Sequence, residues 1–175
     1  MTTVPHRSII MKLLVKVLVV FIAVAMHGSP TNAQGLLTVR ELSLGMALEI
    51  AQGALEACRK LDAHIAVSVV DRGGHVLVTL RDDGAAHHTV ELAQRKAYTA
   101  RIFRQTTREF VERIINNPRA QGLKDTTGAL ASFGGVPIKV GEETIGGVGV
   151  SGAPGGPNDE ACAAAGIAKV SDRLK

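Results

Sequence analysis

The chain has 175 residues, of which 46% are hydrophobic and 3% aromatic, and it carries 20 lysines and arginines against 16 aspartates and glutamates. Three of the basic residues and none of the acidic ones fall within residues 1–33, so the rest of the chain is nearly neutral. This balance, with so few aromatic residues, excludes the basic and aromatic surface that is typical of nucleic-acid-binding proteins.

The N-terminal part has the pattern of a secretory signal. Basic residues lead into an apolar run at 17–26, and small residues at 31–33 provide a cleavage site before Gln34. The apolar run is short for a membrane span, although an uncleaved anchor is the alternative, and Met11 is an alternative start. We therefore predict a signal over residues 1–33 and one periplasmic or secreted domain over residues 34–175, free of the membrane after cleavage.

The first half of this domain predicts two helices and a hairpin. Apolar residues at helical spacing predict a helix over 39–61. A buried strand over 65–70, a glycine turn and a second strand over 75–80 form a hairpin. Another helix follows over 89–103.

The second half predicts two more helices and a second hairpin. Thr106 and Glu109 form a capping box before a helix over 107–116. The irregular segment that follows includes a short strand near 129–133. Strands over 136–140 and 144–150 precede a final helix over 158–174, with Asn158 as its cap.

Glycines in the last strand match a dinucleotide-binding pattern, Gly147-x-Gly149-x-x-Gly152. That motif needs a second parallel strand with an acidic residue about twenty positions further on, and only a helix remains here. We therefore assign these glycines to turns and close backbone contact. Two hairpins without β–α–β alternation predict an α+β fold with an antiparallel sheet of about five strands.

The only two cysteines, Cys58 and Cys162, lie on the first and last predicted helices. Export would bring both into an oxidising compartment. If these two helices pack side by side, a disulfide can form. Two buried free thiols are the alternative, because small free cysteines are common in protein cores.

Motifs in order along the domain resemble a known family. They are Val69-Val70-Asp71-Arg72-Gly73-Gly74-His75, Asp83-Gly84-Ala85, Arg95-Lys96-Ala97-Tyr98-Thr99-Ala100, Phe103-Arg104-Gln105-Thr106-Thr107, Gly134-Gly135-Val136-Pro137-Ile138, Gly146-Gly147-Val148-Gly149-Val150-Ser151-Gly152 and Asp159-Glu160. These segments resemble the GlcG/HbpS family, whose members bind or degrade haem and are related to the C-terminal domain of PduO. The resemblance implies a profilin-like fold, a homo-oligomer and, in some exported members, binding of haem or a related tetrapyrrole.

The chain departs from the family pattern at two positions. Asp82 stands where the family often has methionine, and Thr106 stands where it has proline. Thr107 then matches a threonine that is linked to haem iron in one branch of the family. The resemblance therefore makes Thr107 a candidate metal ligand.

His87 and His88 are the best iron ligands that the residues themselves indicate, because imidazole is a standard haem donor. A solvated polar turn is the alternative interpretation. Without a Cys-x-x-Cys-His motif, any haem would be held non-covalently. The apolar walls are predicted from Tyr98, Phe103 and Phe133, and the partners of the propionates from Arg95 and Lys96, for which a solvated helix face is the alternative.

No catalytic pair or triad can be assigned, because Ser151 lacks the sequence of a nucleophile elbow. Asp71 and Asp83 lie in turns, and Asp159 and Glu160 open a helix. The first hypothesis is therefore an exported haem- or tetrapyrrole-binding protein that sequesters or transfers its ligand, with haem breakdown as a secondary activity. The alternative is a non-catalytic accessory protein that binds a small organic anion or a partner enzyme through the glycine-rich loop after Val150.

Overall fold

A computed structural model describes residues 35–175. The predicted signal sequence and its cleavage site lie outside the described residues. Residues 35–39 have no regular secondary structure, and Arg40–Lys175 form a compact unit. None of the helices in the described part of the chain is long and apolar enough to cross a membrane.

The centre of the unit is a four-stranded antiparallel sheet. Its strands are β1 (Ala66–Val70), β2 (Val76–Arg81), β3 (Gly135–Val140) and β4 (Glu143–Ser151), in the order β2-β1-β4-β3. The two central strands are the most deeply buried, as expected for strands covered on both faces. The α+β antiparallel architecture agrees with the prediction from sequence.

Helices cover both faces of the sheet. The helices are α1 (Leu44–Arg59), α2 (His88–Phe103), α3 (Thr107–Asn116) and α4 (Gly156–Ala168). One face of the sheet shares a hydrophobic core with α1 and α4. The other face packs against α2, whose alanines at 93, 97 and 100 are fully buried.

Two glycines of β4 allow α2 to lie against the sheet backbone. A Cβ on Gly149 would overlap the carbonyl oxygen of Ala93, and one on Gly147 would overlap the carbonyl oxygen of Ala97. The strand that carries them is paired antiparallel on both sides. The apparent dinucleotide motif is therefore a helix-packing surface. Gly147 and Gly149 are needed because a side chain at either position would keep α2 away from the strand, and they do not form a phosphate-binding loop.

Replacing Gly149 with alanine should lower the free energy of unfolding by about 1–3 kcal/mol, because the added methyl must displace α2 backbone. Urea unfolding followed by circular dichroism measures this. Gly122→Ala is the matched control, since no atom lies within 4 Å of a Cβ at that exposed position. Equal stability of the two variants would contradict the close packing.

The capping box and the two hairpins are confirmed, while the start of the first helix and the end of the last helix differ most from the predicted boundaries. Thr106 accepts from the Glu109 amide, and the Glu109 carboxylate accepts from the Thr106 amide. The first helix begins at Leu44 because Ser43 caps it. The last helix begins at Gly156 rather than at Asn158, whose side chain donates to the Pro154 carbonyl instead of capping, and it ends at Ala168.

The short strand predicted near residues 129–133 does not form. The Arg95 side chain donates to the carbonyl oxygen of Ala129 at 2.7 Å, and the Leu130 amide donates to the Thr99 hydroxyl at 2.8 Å. Side chains of α2 thus take the backbone groups that a sheet partner would otherwise bond.

Candidate functional site

The two histidines predicted as iron ligands lie at the start of α2. His87 precedes the helix, His88 is its first residue, and both are exposed. Neither side chain has a hydrogen-bond or ion-pair partner among residues 35–175. Both imidazoles are therefore accessible to a ligand from solvent.

The aspartates beside these histidines differ from each other in their bonding. Asp82 is buried, and the Arg59 guanidinium binds both of its carboxylate oxygens, at 3.0 and 2.6 Å. Hydrogen bonds from Arg59 hold the pKa of the Asp82 carboxyl below its usual value. Asp83 is exposed. Asp82 thus anchors the end of α1 to the segment before α2.

Thr107, the other candidate ligand, is fully buried at the start of α3. Its hydroxyl oxygen accepts a hydrogen bond from the Gly135 amide at 2.8 Å. Its side chain therefore joins α3 to the first residue of β3. A ligand that used this oxygen would compete with that bond.

The structure places Thr107 beside the middle of α2 rather than beside His88. A Cβ on Gly135 would lie 2.6 Å from the Thr107 side chain and even closer to the carbonyl oxygen of Lys96, so Thr107 is close to Lys96. Lys96 follows His88 by eight residues, which at 1.5 Å per residue is about 12 Å along α2. The exposed His88 imidazole and the buried Thr107 hydroxyl therefore do not meet at one metal position within this chain.

Lys96 lies in the buried interior. It is 3% exposed, and its ammonium donates to the Asp159 carboxylate and to the carbonyl oxygen of Val150, both at 2.9 Å. Asp159 also accepts from the Ala153 amide at 2.9 Å. Burial raises the pKa of the Asp159 carboxyl, and the Lys96 ammonium and the amides offset part of that rise.

This ion pair bears directly on the glycine-rich loop after Val150, which was predicted as an anion site. The Asp159 carboxylate bonds the loop amide of Ala153 from within the protein. The Asp159 carboxylate thus occupies the position beside the Ala153 amide that the carboxylate of a bound acid would take. The carboxylate was assigned from sequence to the helix dipole, and its pairing with Lys96 was missed.

A signal for the pair was present in the sequence. Lys96 lies on the apolar stripe of its helix, together with Ala93, Ala97 and Ala100. Lysine is almost never fully buried unless it is paired, so this position requires a buried carboxylate. Spacing along the chain does not show which carboxylate that is.

The three aromatic residues predicted as walls of the site have different neighbours in the structure. Tyr98 is half-buried between Gly74 and Gly128, next to Arg95 and its bond to Ala129. Phe103 stacks on Phe110 with ring centroids 4.3 Å apart.

Phe133 lies under the Arg108 guanidinium, whose carbon is 5.0 Å from the ring centroid. Arg108 also binds Glu160 at 3.1 Å. Phe133, Thr107 and Lys96 meet around Gly134 and Gly135. Of the predicted site residues, this is the group that the structure brings together.

In the described part of the chain, no three histidine, cysteine, aspartate or glutamate side chains converge on a possible metal position. The accessible imidazoles of His87 and His88 remain single donors. They suit the axial ligation of a metal that a macrocycle already holds.

Comparison with known proteins places this architecture in a family. The family model described as "Haem degrading protein HbpS-like" matches residues 42–168, which is most of the chain and nearly all of the compact unit. The chain therefore belongs to the HbpS-like family.

Individual relatives agree with this assignment. The protein GlcG of Escherichia coli K12 is 37% identical over 111 residues, which cover 63% of this chain and 81% of GlcG. The crystal structure of a double mutant of Streptomyces reticuli HbpS is 40% identical, with a TM-score of 0.74 over 82% of this chain and 97% of that one. A crystal structure described as a PduOC–haem complex is 29% identical, with a TM-score of 0.66 over 73% and 93% of the two chains.

Proposed function

We propose that this protein is an exported haem- or tetrapyrrole-binding protein that sequesters or transfers its ligand. The observation that carries the proposal is the match to the HbpS-like family over residues 42–168, together with a haem complex among its structural relatives. Haem would supply an iron that a nitrogen or oxygen donor of the protein could hold. Haem breakdown is the secondary activity in this proposal.

The donor set of the chain fits a non-covalently held haem best at the start of α2. The imidazoles of His87 and His88 are exposed and free of partners within residues 35–175. By contrast, the Thr107 hydroxyl is buried and bonded to the Gly135 amide. We therefore propose that His88 would hold the iron, with His87 beside it, and that Thr107 has a supporting role.

A homo-oligomer is part of the same proposal. A haem bound to a surface histidine is covered by protein on one side, whereas ligand sites commonly enclose most of their ligand. A second copy of the chain would supply the other wall. Export is supported by the signal pattern of residues 1–33 and by the disulfide that links Cys58 to Cys162.

Titration of the purified protein with hemin should give a saturable shift of the Soret band. We expect His88→Ala to weaken the apparent affinity by at least about tenfold, as loss of one good ligand interaction does. His75→Ala is the matched control, since it removes another exposed imidazole, on the hairpin between β1 and β2. Faster bleaching of the bound Soret band than of free hemin by peroxide would support haem breakdown.

Thr107 variants distinguish the two candidate iron ligands, His88 and Thr107. Thr107→Val should leave the Soret band unchanged and lower the stability by about 1–3 kcal/mol, because the buried Gly135 amide loses its acceptor. If Thr107→Val abolishes the shift while Thr107→Ser preserves it, the iron ligand lies at the α3 end. No shift in the unmodified protein would reject haem binding.

A further inference from the structure

A small cleft lies where the end of α2 meets the turn between β3 and β4. Its volume is about 150 Å³, and it is distinct from the start of α2 and from the Lys96–Asp159 pair. The residues that line it are Arg72, Arg101, Arg104, Glu142, Glu143 and Thr144.

Two buried polar atoms in this cleft lack a hydrogen-bond partner within residues 35–175. One is the hydroxyl oxygen of Thr144, a residue only 6% exposed, and the other is the Nε atom of Arg101. A buried polar atom without a partner costs about 1–3 kcal/mol in stability. Both groups can donate a hydrogen bond, and a small rotation of each side chain would bring it to an acceptor in the cleft.

Three arginines and two glutamates, Glu142 and Glu143, line the cleft, and this net charge of +1 favours an anion as that acceptor. Glu143 is already paired with Arg72 and lies 3.7 Å from Arg40. Arg101 and Arg104 have no carboxylate within ion-pair distance in the described chain. Burial, with repulsion from Arg104 and Arg72, lowers the pKa of the Arg101 guanidinium.

Backbone strain points to the same place. Arg104 ends α2 with a φ of 57°, in the left-handed region that favours glycine. A side chain other than glycine costs about 1–2 kcal/mol there. Strain that persists at one residue suggests that its side chain is needed.

We propose that this cleft binds a carboxylate group, with hydrogen bonds from Thr144 Oγ1 and Arg101 Nε and charge compensation from Arg104. A volume of about 150 Å³ suits a carboxylate on a short carbon chain but not a porphyrin ring. The carboxylate can belong to a free small acid or to a propionate arm of a larger ligand. The site does not depend on haem binding.

Calorimetric titration with succinate tests the free-acid source. We expect saturable binding that Arg101→Gln weakens at least about tenfold, as loss of a charge-assisted hydrogen bond does. Arg119→Gln makes the same change of charge at an exposed residue outside the cleft, and it should bind succinate like the unmodified protein. Succinamide, which has no charge, should not bind.

The variant Thr144→Val tests whether the Thr144 hydroxyl binds the ligand or has only a structural role. It removes a hydroxyl without a partner, so the ligand-free protein should be at least as stable as before, while succinate affinity falls several-fold. Arg104→Gly should likewise raise the melting temperature and weaken binding. If Thr144→Val lowers stability and leaves the affinity unchanged, the hydroxyl has a structural role and the proposal is wrong.

Hemin and hemin dimethyl ester distinguish the propionate source. If succinate does not bind but esterification or Arg101→Gln weakens hemin binding at least about tenfold, the cleft receives a propionate. If succinate does not bind and hemin affinity is insensitive to both changes, no carboxylate binds here. Because the succinate arm contains no haem, failure of this proposal and failure of haem binding give different results.

Discussion

Replacing Lys96 with methionine will lower the free energy of unfolding by about 3–5 kcal/mol, the usual cost of removing one partner of a buried ion pair. Methionine fills much of the space of the lysine side chain, so the loss comes from the Asp159 carboxylate left buried without its ammonium partner. The Val150 carbonyl loses its donor as well. Equilibrium urea denaturation at pH 7 measures the change.

The Lys96→Met deficit should depend on pH in a defined direction. Without the ammonium, the pKa of the Asp159 carboxyl rises further above its unfolded value of about 3.9. The folded variant then binds more protons than the unfolded chain, so its stability falls as the pH rises through the folded pKa. The deficit should therefore be smaller near pH 4 than at pH 8.

Two further variants show whether the loss of stability in Lys96→Met comes from the buried ion pair. Lys124→Met removes an exposed lysine, which pairs with Asp125 at the surface, and should change stability by less than about 1 kcal/mol. The double variant Lys96→Met/Asp159→Asn should recover part of the loss, because no buried charge remains. If Lys96→Met is no more destabilising than Lys124→Met, Lys96 does not form a buried pair.

Removing the disulfide between Cys58 and Cys162 should cost about 2–5 kcal/mol. The bond joins α1 to α4 and spans 104 residues of sequence, so its loss frees a long loop in the unfolded chain. Both cysteines are buried in the core between these helices and the sheet. The double variant Cys58→Ala/Cys162→Ala, compared with the oxidised protein in urea, measures the cost.

Mass spectrometry, without reduction, of the protein purified after expression of the full chain checks the disulfide directly. An intact bond lowers the mass by two hydrogen atoms relative to the reduced chain and prevents alkylation under denaturing conditions. The same spectrum shows whether the chain begins at Gln34. Alkylation of both cysteines would contradict the bond, and a retained N-terminal segment would contradict cleavage at the predicted site.

Predictions that depend on neighbouring residues agree well with the structure. The capping box at Thr106 and Glu109 forms because both partners lie within one helical turn. The two hairpins form because apolar runs flank short glycine turns. The strand predicted near residues 129–133 is wrong because α2, distant in sequence, supplies side chains that bond its backbone.

The arrangement of the predicted site residues was harder to predict than the local elements, because a residue's type does not show which distant residue it contacts. Arg95 and Lys96 are adjacent on one helix and were grouped as partners for propionates. In the structure, Arg95 bonds the Ala129 carbonyl while Lys96 is buried against Asp159. The sequence did not predict the cleft at the end of α2, because Arg101 and Thr144 are distant in sequence and meet only through the packing of α2 on the sheet.

The sequence by itself determined the kinds of element, their order and the family, because helical periodicity, hairpin turns and caps are local properties. Only the tertiary structure decided which polar groups are paired and which are open. Burial and partnership depend on residues far apart in the chain: Lys96 meets Asp159, Cys58 meets Cys162, and the Thr144 hydroxyl meets none within residues 35–175. The chemistry of this protein depends on those long-range contacts.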